Sequence, residues 1–216
     1  MATLSYHEQK DIENIKKLRE LQKELPSFCS DFFRGIETST STRTRIAYAY
    51  DLKIFFQFLK TANPGTFDNP SHTLTPSDLE KLTVTDLEEY IDYLKCHPSD
   101  TNEDVINTER GLMRKVSSLR SFYSYFFRNE RIEKNPAALV RMPKLHEKEI
   151  IRLEIDEVAK LLDEVEEGDK LTEKQKLYHE RTKVRDLAMM SLLLGTGIRV
   201  SECVGLNIND IDLDTC

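Results

Sequence analysis

The chain has 216 residues, enough for one or two domains that bury a core without disulfides or metals. Hydrophobic residues make up 39% and charged residues 32%, a soluble globular balance, and no run approaches the ~18 apolar residues of a membrane span. The net charge of −7 argues at first against a nucleic-acid partner, but the signs are segregated along the chain.

Residues 1–36 carry six basic and six acidic groups, and residues 37–67 carry four and two. Residues 68–106 carry two and ten, residues 107–149 ten and five, and residues 150–216 nine and fifteen. The base therefore gathers in the fourth block and the acid in the third and last. The start of the chain lacks the basic-then-apolar pattern of a signal peptide. Cys29, Cys96, Cys203 and Cys216 are far apart, with no CxxC pair, so a structural zinc site is not expected and a reducing cytoplasm fits.

Almost every segment reads as helix. Ile12, Ile15, Leu18, Leu21 and Leu25 recur at helical spacing over residues 8–25, and Pro26 ends that run. A short helix through Phe28, Phe32 and Phe33 closes near Gly35. The hydroxyl run at 38–42 leads into a helix over 43–60 that buries Ile46, Ala49, Tyr50, Leu52, Phe55, Phe56 and Leu59. Thr75-Pro76 opens one turn, and Thr85 with Glu88 predicts a capping box and a helix to about Lys95, followed by an acidic loop at 98–104. The longest helix is expected over 105–131, and Asn135-Pro136 caps a short one before the linker Arg141-Met142-Pro143-Lys144. Ile155, Val158, Leu161, Leu162 and Val165 form an amphipathic helix ended by Gly168. The stretch 169–183 is polar, and 184–194 reads as a buried helix ending at Gly195-Thr196-Gly197. A last turn or two covers 200–206. No strand is expected.

Three features could carry chemistry. A helix N-terminus prefers acids, yet the 43–60 helix opens on Arg43 and Arg45 after Thr42, which suits a bound phosphate. Two arginines pointing into solvent are the alternative. On the 105–131 helix, Arg110, Arg114, Ser117, Ser121, Ser124 and Arg128 follow steps of four, three, four, three and four, so they share one stripe. Small serines allow close approach of a duplex and arginines meet its phosphates, with Lys115 and Arg120 at the flanks. A solvated bundle face is the alternative, although the stripe holds no acid between Glu109 and Glu130. The third feature is Gly195-Thr196-Gly197-Ile198-Arg199, where a glycine turn presents one guanidinium at a helix start with Glu202 three residues on. An ordinary local ion pair would look the same.

Together these stretches resemble the tyrosine site-specific recombinases of the Xer and phage-integrase type, over roughly residues 25–216. TRTRIAYAYDLKIFFQFL at 42–59 is similar to the first helix of the family's core-binding domain, and KVSSLRSFYSYF at 115–126 to its central DNA-contacting helix. RDLAMMSLLLGTGIRVSECVGLNINDIDLD at 185–214 resembles the first catalytic box, which makes Arg199 the first catalytic arginine and Glu202 its support. The resemblance implies an all-α chain in three parts. These are a helical extension at 1–36, a SAM-like core-binding domain at 37–146, and the first helices of a truncated α+β catalytic domain at 147–216.

It also implies cofactor-free and metal-free phosphoryl transfer on double-stranded DNA, in which a tyrosine attacks the scissile phosphate, arginines steady the transition state and a lysine protonates the leaving oxygen. Four protomers, identical or mixed, would exchange strands, with no membrane involved. The lysine hairpin, the His-x-x-Arg box and the nucleophile would all follow residue 214, and all eight tyrosines precede Arg199. These 216 residues are thus expected to bind DNA without cleaving it. A non-catalytic helical DNA-binding or regulatory module and a helical protein-interaction module remain alternatives. Chromosome partition and mobile-element integration both remain open.

Overall fold

In the computed structural model, which describes residues 5–98, 103–146 and 151–211, the chain divides into two compact units, Met1–Glu147 and Lys148–Cys216. The first unit begins at a capping box. The Ser5 Oγ accepts from the Glu8 N–H at 3.3 Å, and the Glu8 carboxylate accepts from the Ser5 N–H at 2.8 Å, which starts helix α1 (Tyr6–Lys23). α1 lays its buried Leu18 and Leu21 against helix α3 (Thr42–Ala62), which Ser41 caps. Between them runs α2 (Cys29–Gly35), carrying the fully buried Phe32.

The core is aromatic. Rings from the α2 region, from α3 and from the long helix at Glu109–Arg128 meet edge to face, Phe32 with Phe122 at 5.2 Å and Phe28 with Phe126 at 5.4 Å. Such pairs add about 0.5–1.5 kcal/mol beyond burial. A Cβ on Gly35 would sit inside the Tyr125 ring, so only glycine lets α2 approach that side chain. The Phe and Leu positions expected on α3 are buried, but Tyr50 is 40% exposed, with Lys17 over its ring.

Two short helices follow, α4 (Pro64–Phe67) and α5 (Pro76–Leu79), each opened by a proline at its first position. In α5 the carboxylate of Asp78 is pushed up by burial. Bonds from Lys81, the Thr75 N–H and His72 outweigh that and hold it at about 2. The next helix, α6 (Val84–Tyr93), starts two residues earlier than expected, because the capping box is Thr83 with Asp86. Thr83 and Thr85 both head a Thr-x-x-acid pattern. The Thr83 choice puts the buried Leu82 and Leu87 at the two positions of a hydrophobic staple.

The expectation of no strand is corrected. β1 (Cys96–Pro98) pairs antiparallel with β2 (Asp104–Ile106), with His97 opposite Val105. Three-residue strands are too short to show a period-two pattern. Part of the expected acidic loop is therefore strand, and its residues 99–102 lie outside the described residues. The long helix α7 (Glu109–Arg128) consequently begins after β2, at the Thr108 cap, and ends before Glu130, whose φ of 55° leaves the helical region. A 3-10 turn at Pro136–Ala138 closes the unit.

In the second unit, α8 (Ile155–Glu167) packs against α9 (Glu173–Thr196), and α10 (Val200–Val204) follows. Gly168 ends α8 at φ 69°, where a Cβ would lie 2.9 Å from the His179 ring. The polar stretch and the apolar run expected as separate segments form the single helix α9. The expected burial at 184–194 is not found. Val184 is 78% exposed, and no hydrophobic side chain among the described residues of this unit is buried. No helix of the described residues is long and apolar enough to cross a membrane.

Candidate nucleic-acid interface

The start of α3 is built by its cap. The Ser41 Oγ accepts from the Thr44 N–H at 3.2 Å and lies 3.0 Å from the Thr44 hydroxyl. Arg43 projects into solvent and makes no hydrogen bond or ion pair among the described residues. Arg45 does not join it. Two residues along a helix is a turn of ~200°, which carries Arg45 to the core side, where it is 9% exposed. Its guanidinium donates to the Glu37 carboxylate at 2.7 Å and to the half-buried Thr42 hydroxyl at 3.4 Å. Of the two arginines expected at this helix start, Arg43 is open to solvent and Arg45 is engaged by Glu37 and Thr42.

α7 sorts its cations in the same way. Arg114 donates to Asp51 of α3 at 2.5 Å, and Asp51 is only 2% exposed. Lys115 is buried and donates to the Asn107 Oδ1 at 2.7 Å. Arg120 donates to the carbonyls of Ala137, Ala138 and Val140 at 2.8–3.1 Å, clamping the chain that follows the 3-10 turn. These three are among the residues expected to face a duplex; each also satisfies an acceptor within the protein that would be costly to leave unpaired, and Arg114 stays exposed beyond its bond. Burial pushes the Asp51 carboxyl up to about 6 against the pull of Arg114 and Lys115, so it is still charged at neutral pH. Burial likewise lowers the Lys115 ammonium and raises the Tyr90 phenol, which donates to the Asp51 carbonyl at 3.4 Å.

What remains open on α7 is Arg110, Arg114 and Ser117, all exposed, with Ser121 and Ser124 half-buried and Arg128 exposed at the far end. Arg110 has no partner among the described residues. The Arg128 Nε donates to the Ser124 carbonyl at 3.3 Å, which leaves the rest of its fork to solvent. The Arg114–Asp51 bond brings this stripe against α3. Sequence reasoning missed Asp51, Glu37 and Asn107. Only Asp51 left a signal, as an acid on the apolar side of α3 between Ala49, Leu52 and Phe55.

In the second unit Arg199 is the N-cap residue of α10. Its backbone N–H donates to the Glu202 carboxylate at 2.7 Å and its guanidinium donates to the other oxygen at 3.0 Å, yet the side chain is 81% exposed. The backbone bond, then the guanidinium, hold Glu202 below the usual carboxylate range. The helix before it stops because Gly197 takes φ 69°. The result is a guanidinium held from one side by a carboxylate, with its remaining donors free for an oxyanion.

Residues 151–215, which contain this motif, match the phage integrase family. The chain is also 35% identical over 198 residues to the tyrosine recombinase XerC of Caldanaerobacter subterraneus, an alignment that covers 88% of this chain and 50% of that protein. The chain is similar to the phage integrase family and to Xer-type tyrosine recombinases. Among other recombinases it is 30% identical to XerC of Chlorobaculum tepidum, over 94% of this chain and 55% of that protein. It is 31% identical to XerS of Streptococcus uberis, over 92% and 61%. The chain thus spans about half the length of the recombinases it matches. No solved structure matches it.

Proposed function

We propose that this chain is the DNA-gripping part and the first catalytic segment of a site-specific recombinase that cuts and rejoins double-stranded DNA through a phosphotyrosyl intermediate. The observation that carries the reading is Arg199. It sits inside the family-matched segment, oriented by Glu202 and open to solvent, as a group must be if it is to steady charge on a phosphate. Residues 37–146 act as a SAM-like core-binding domain, 1–36 as its helical extension, and 147–216 as the opening of an α+β catalytic domain. Thr42, Arg43, Arg110, Ser117, Ser121 and Arg128 present the duplex-facing surface. Arg114, with part of its fork exposed beyond Asp51, contributes at the seam between α3 and α7. Arg45, Lys115 and Arg120 support that surface from behind. None of the eight tyrosines follows Arg199, so these 216 residues supply no nucleophile in the family's place. The working assembly is a tetramer of recombinase protomers on DNA.

The test is duplex affinity measured against salt. Each phosphate that a side chain neutralises adds about 0.9 to the slope of log affinity on log salt. Arg43→Ala and Arg110→Ala are expected to lower the slope by about one such step each, whereas Arg120→Ala lowers thermal stability and leaves it unchanged. Affinity that ignores salt, or a larger slope change in Arg120→Ala than in Arg43→Ala, would overturn the assignment. A nicked suicide duplex should give no covalent protein–DNA band with these 216 residues. In a recombinase containing them, Arg199→Ala should cut cleavage at least ~10²-fold while site binding persists.

A further inference from the structure

We propose that the cavity between α1, α2 and the first turn of α3 binds a small, free phosphate-bearing anion, at a site separate from the duplex-facing residues. The cavity holds about 310 Å³ and is lined by Arg19 and Gln22 of α1, Ser30 and Arg34 of α2, and Glu37 and Arg45 at the entry to α3. That volume lies at the low end of the ~300–1,000 Å³ of small-ligand sites.

Three guanidiniums face one carboxylate there, and that carboxylate is already taken, since Glu37 accepts from Arg45. Arg19 has no hydrogen bond or ion pair among the described residues. Arg34 only reaches Asp31, at 4.0 Å. Arg45, nine-tenths buried and held by Glu37 and Thr42, forms the inner wall of the cavity. An acceptor-only anion there answers the unpaired Arg19 and the open fork of Arg34 together. A phosphate suits the demand better than a carboxylate, because its three or four oxygens and its double charge can serve several guanidinium forks at once. Gln22 and Ser30 add neutral donors.

A duplex is the wrong source for that phosphate. Arg45 points ~200° around α3 from Arg43, and ~120° from Asp51, where Arg114 docks. The cavity therefore opens away from the proposed interface. Once bound, the anion would bridge α1, α2 and α3, and so tie the N-terminal helix to the helix that carries Arg43.

The probe is inorganic phosphate added to the 216-residue chain at constant ionic strength, followed by thermal unfolding and titration calorimetry. A saturable stabilisation is expected. Arg19→Gln and Arg34→Gln, at exposed positions that leave the fold intact by circular dichroism, should each weaken phosphate at least about tenfold. A shift that does not saturate, or that is as large in both variants as in the parent, is a general salting effect and overturns the site. Short duplex DNA then separates the sources. The free-anion assignment expects phosphate and duplex to bind together, with duplex affinity equal in the parent and in Arg19→Gln. Competition between them, or a duplex weakened by Arg19→Gln, assigns the phosphate to DNA and overturns it. The phosphate titration contains no DNA, so it stands or falls apart from the recombinase reading.

Discussion

Phe122 and Val184 lie near the middle of two helices of similar length, and their surroundings are opposite. Phe122 is fully buried among the rings of α2, α3 and α7, whereas Val184 on α9 is 78% exposed. The first unit closes its own core, because α1, α2, α3, α6 and α7 each find an apolar face to meet. Among the described residues the second unit buries no hydrophobic side chain. Its arginine motif is consequently shaped by bonds within one turn, at Arg199–Glu202, and the proposed interface of the first unit is shaped by bonds between distant segments, at Arg114–Asp51. A local motif can keep its geometry with little core beneath it. A surface assembled from several helices cannot.

The comparison breaks first at the core. Phe122→Ala is expected to destabilise the first unit by about 3–5 kcal/mol, and Val184→Ala to stay within about 0.5 kcal/mol of the parent. Urea unfolding followed by far-ultraviolet circular dichroism would measure both, and similar effects at the two sites would dissolve the contrast.

Acid–base behaviour sharpens it. Asp51 has a folded-state value raised from 3.8 to about 6, so the folded protein holds that proton more tightly than the unfolded chain. Its contribution is full below pH 3.8 and is lost as pH rises through 6, by roughly 3 kcal/mol at most. Asp78, held at about 2, has the opposite sign, and its contribution is present above pH 3.8 and lost as pH falls towards 2. Asp51→Asn should therefore gain stability on its parent between pH 4 and 6, whereas Asp78→Asn should gain on its parent only below pH 4. Melting curves taken across pH 2–7 would show whether the two limbs separate.

The smallest effect belongs to Arg199. Its pair with Glu202 is exposed and local, so Arg199→Ala should leave the melting temperature within about 1 °C of the parent. A clear drop would mean that the motif is part of a packed structure after all, and that the second unit is less dependent on local bonds than its exposure implies.

Sequence alone determined the features that close within a turn or two. The glycine stops at Gly168 and Gly197 follow from a residue that takes a positive φ without strain, and the approach of Glu202 to Arg199 follows from their three-residue spacing, because a helix places such residues side by side. The fold as a helical chain was legible for the same reason, and the three-residue strands were not, because they are shorter than any pattern that would reveal them. Only the tertiary structure decided which basic side chains stay free. Arg45, Arg114, Lys115 and Arg120 read like Arg43 and Arg110 along the chain, yet their acceptors lie 8 to 63 residues away, at Glu37, Asp51, Asn107 and the 137–140 carbonyls. A buried acceptor claims whichever donor the packing brings within about 3 Å, and no spacing rule records that choice.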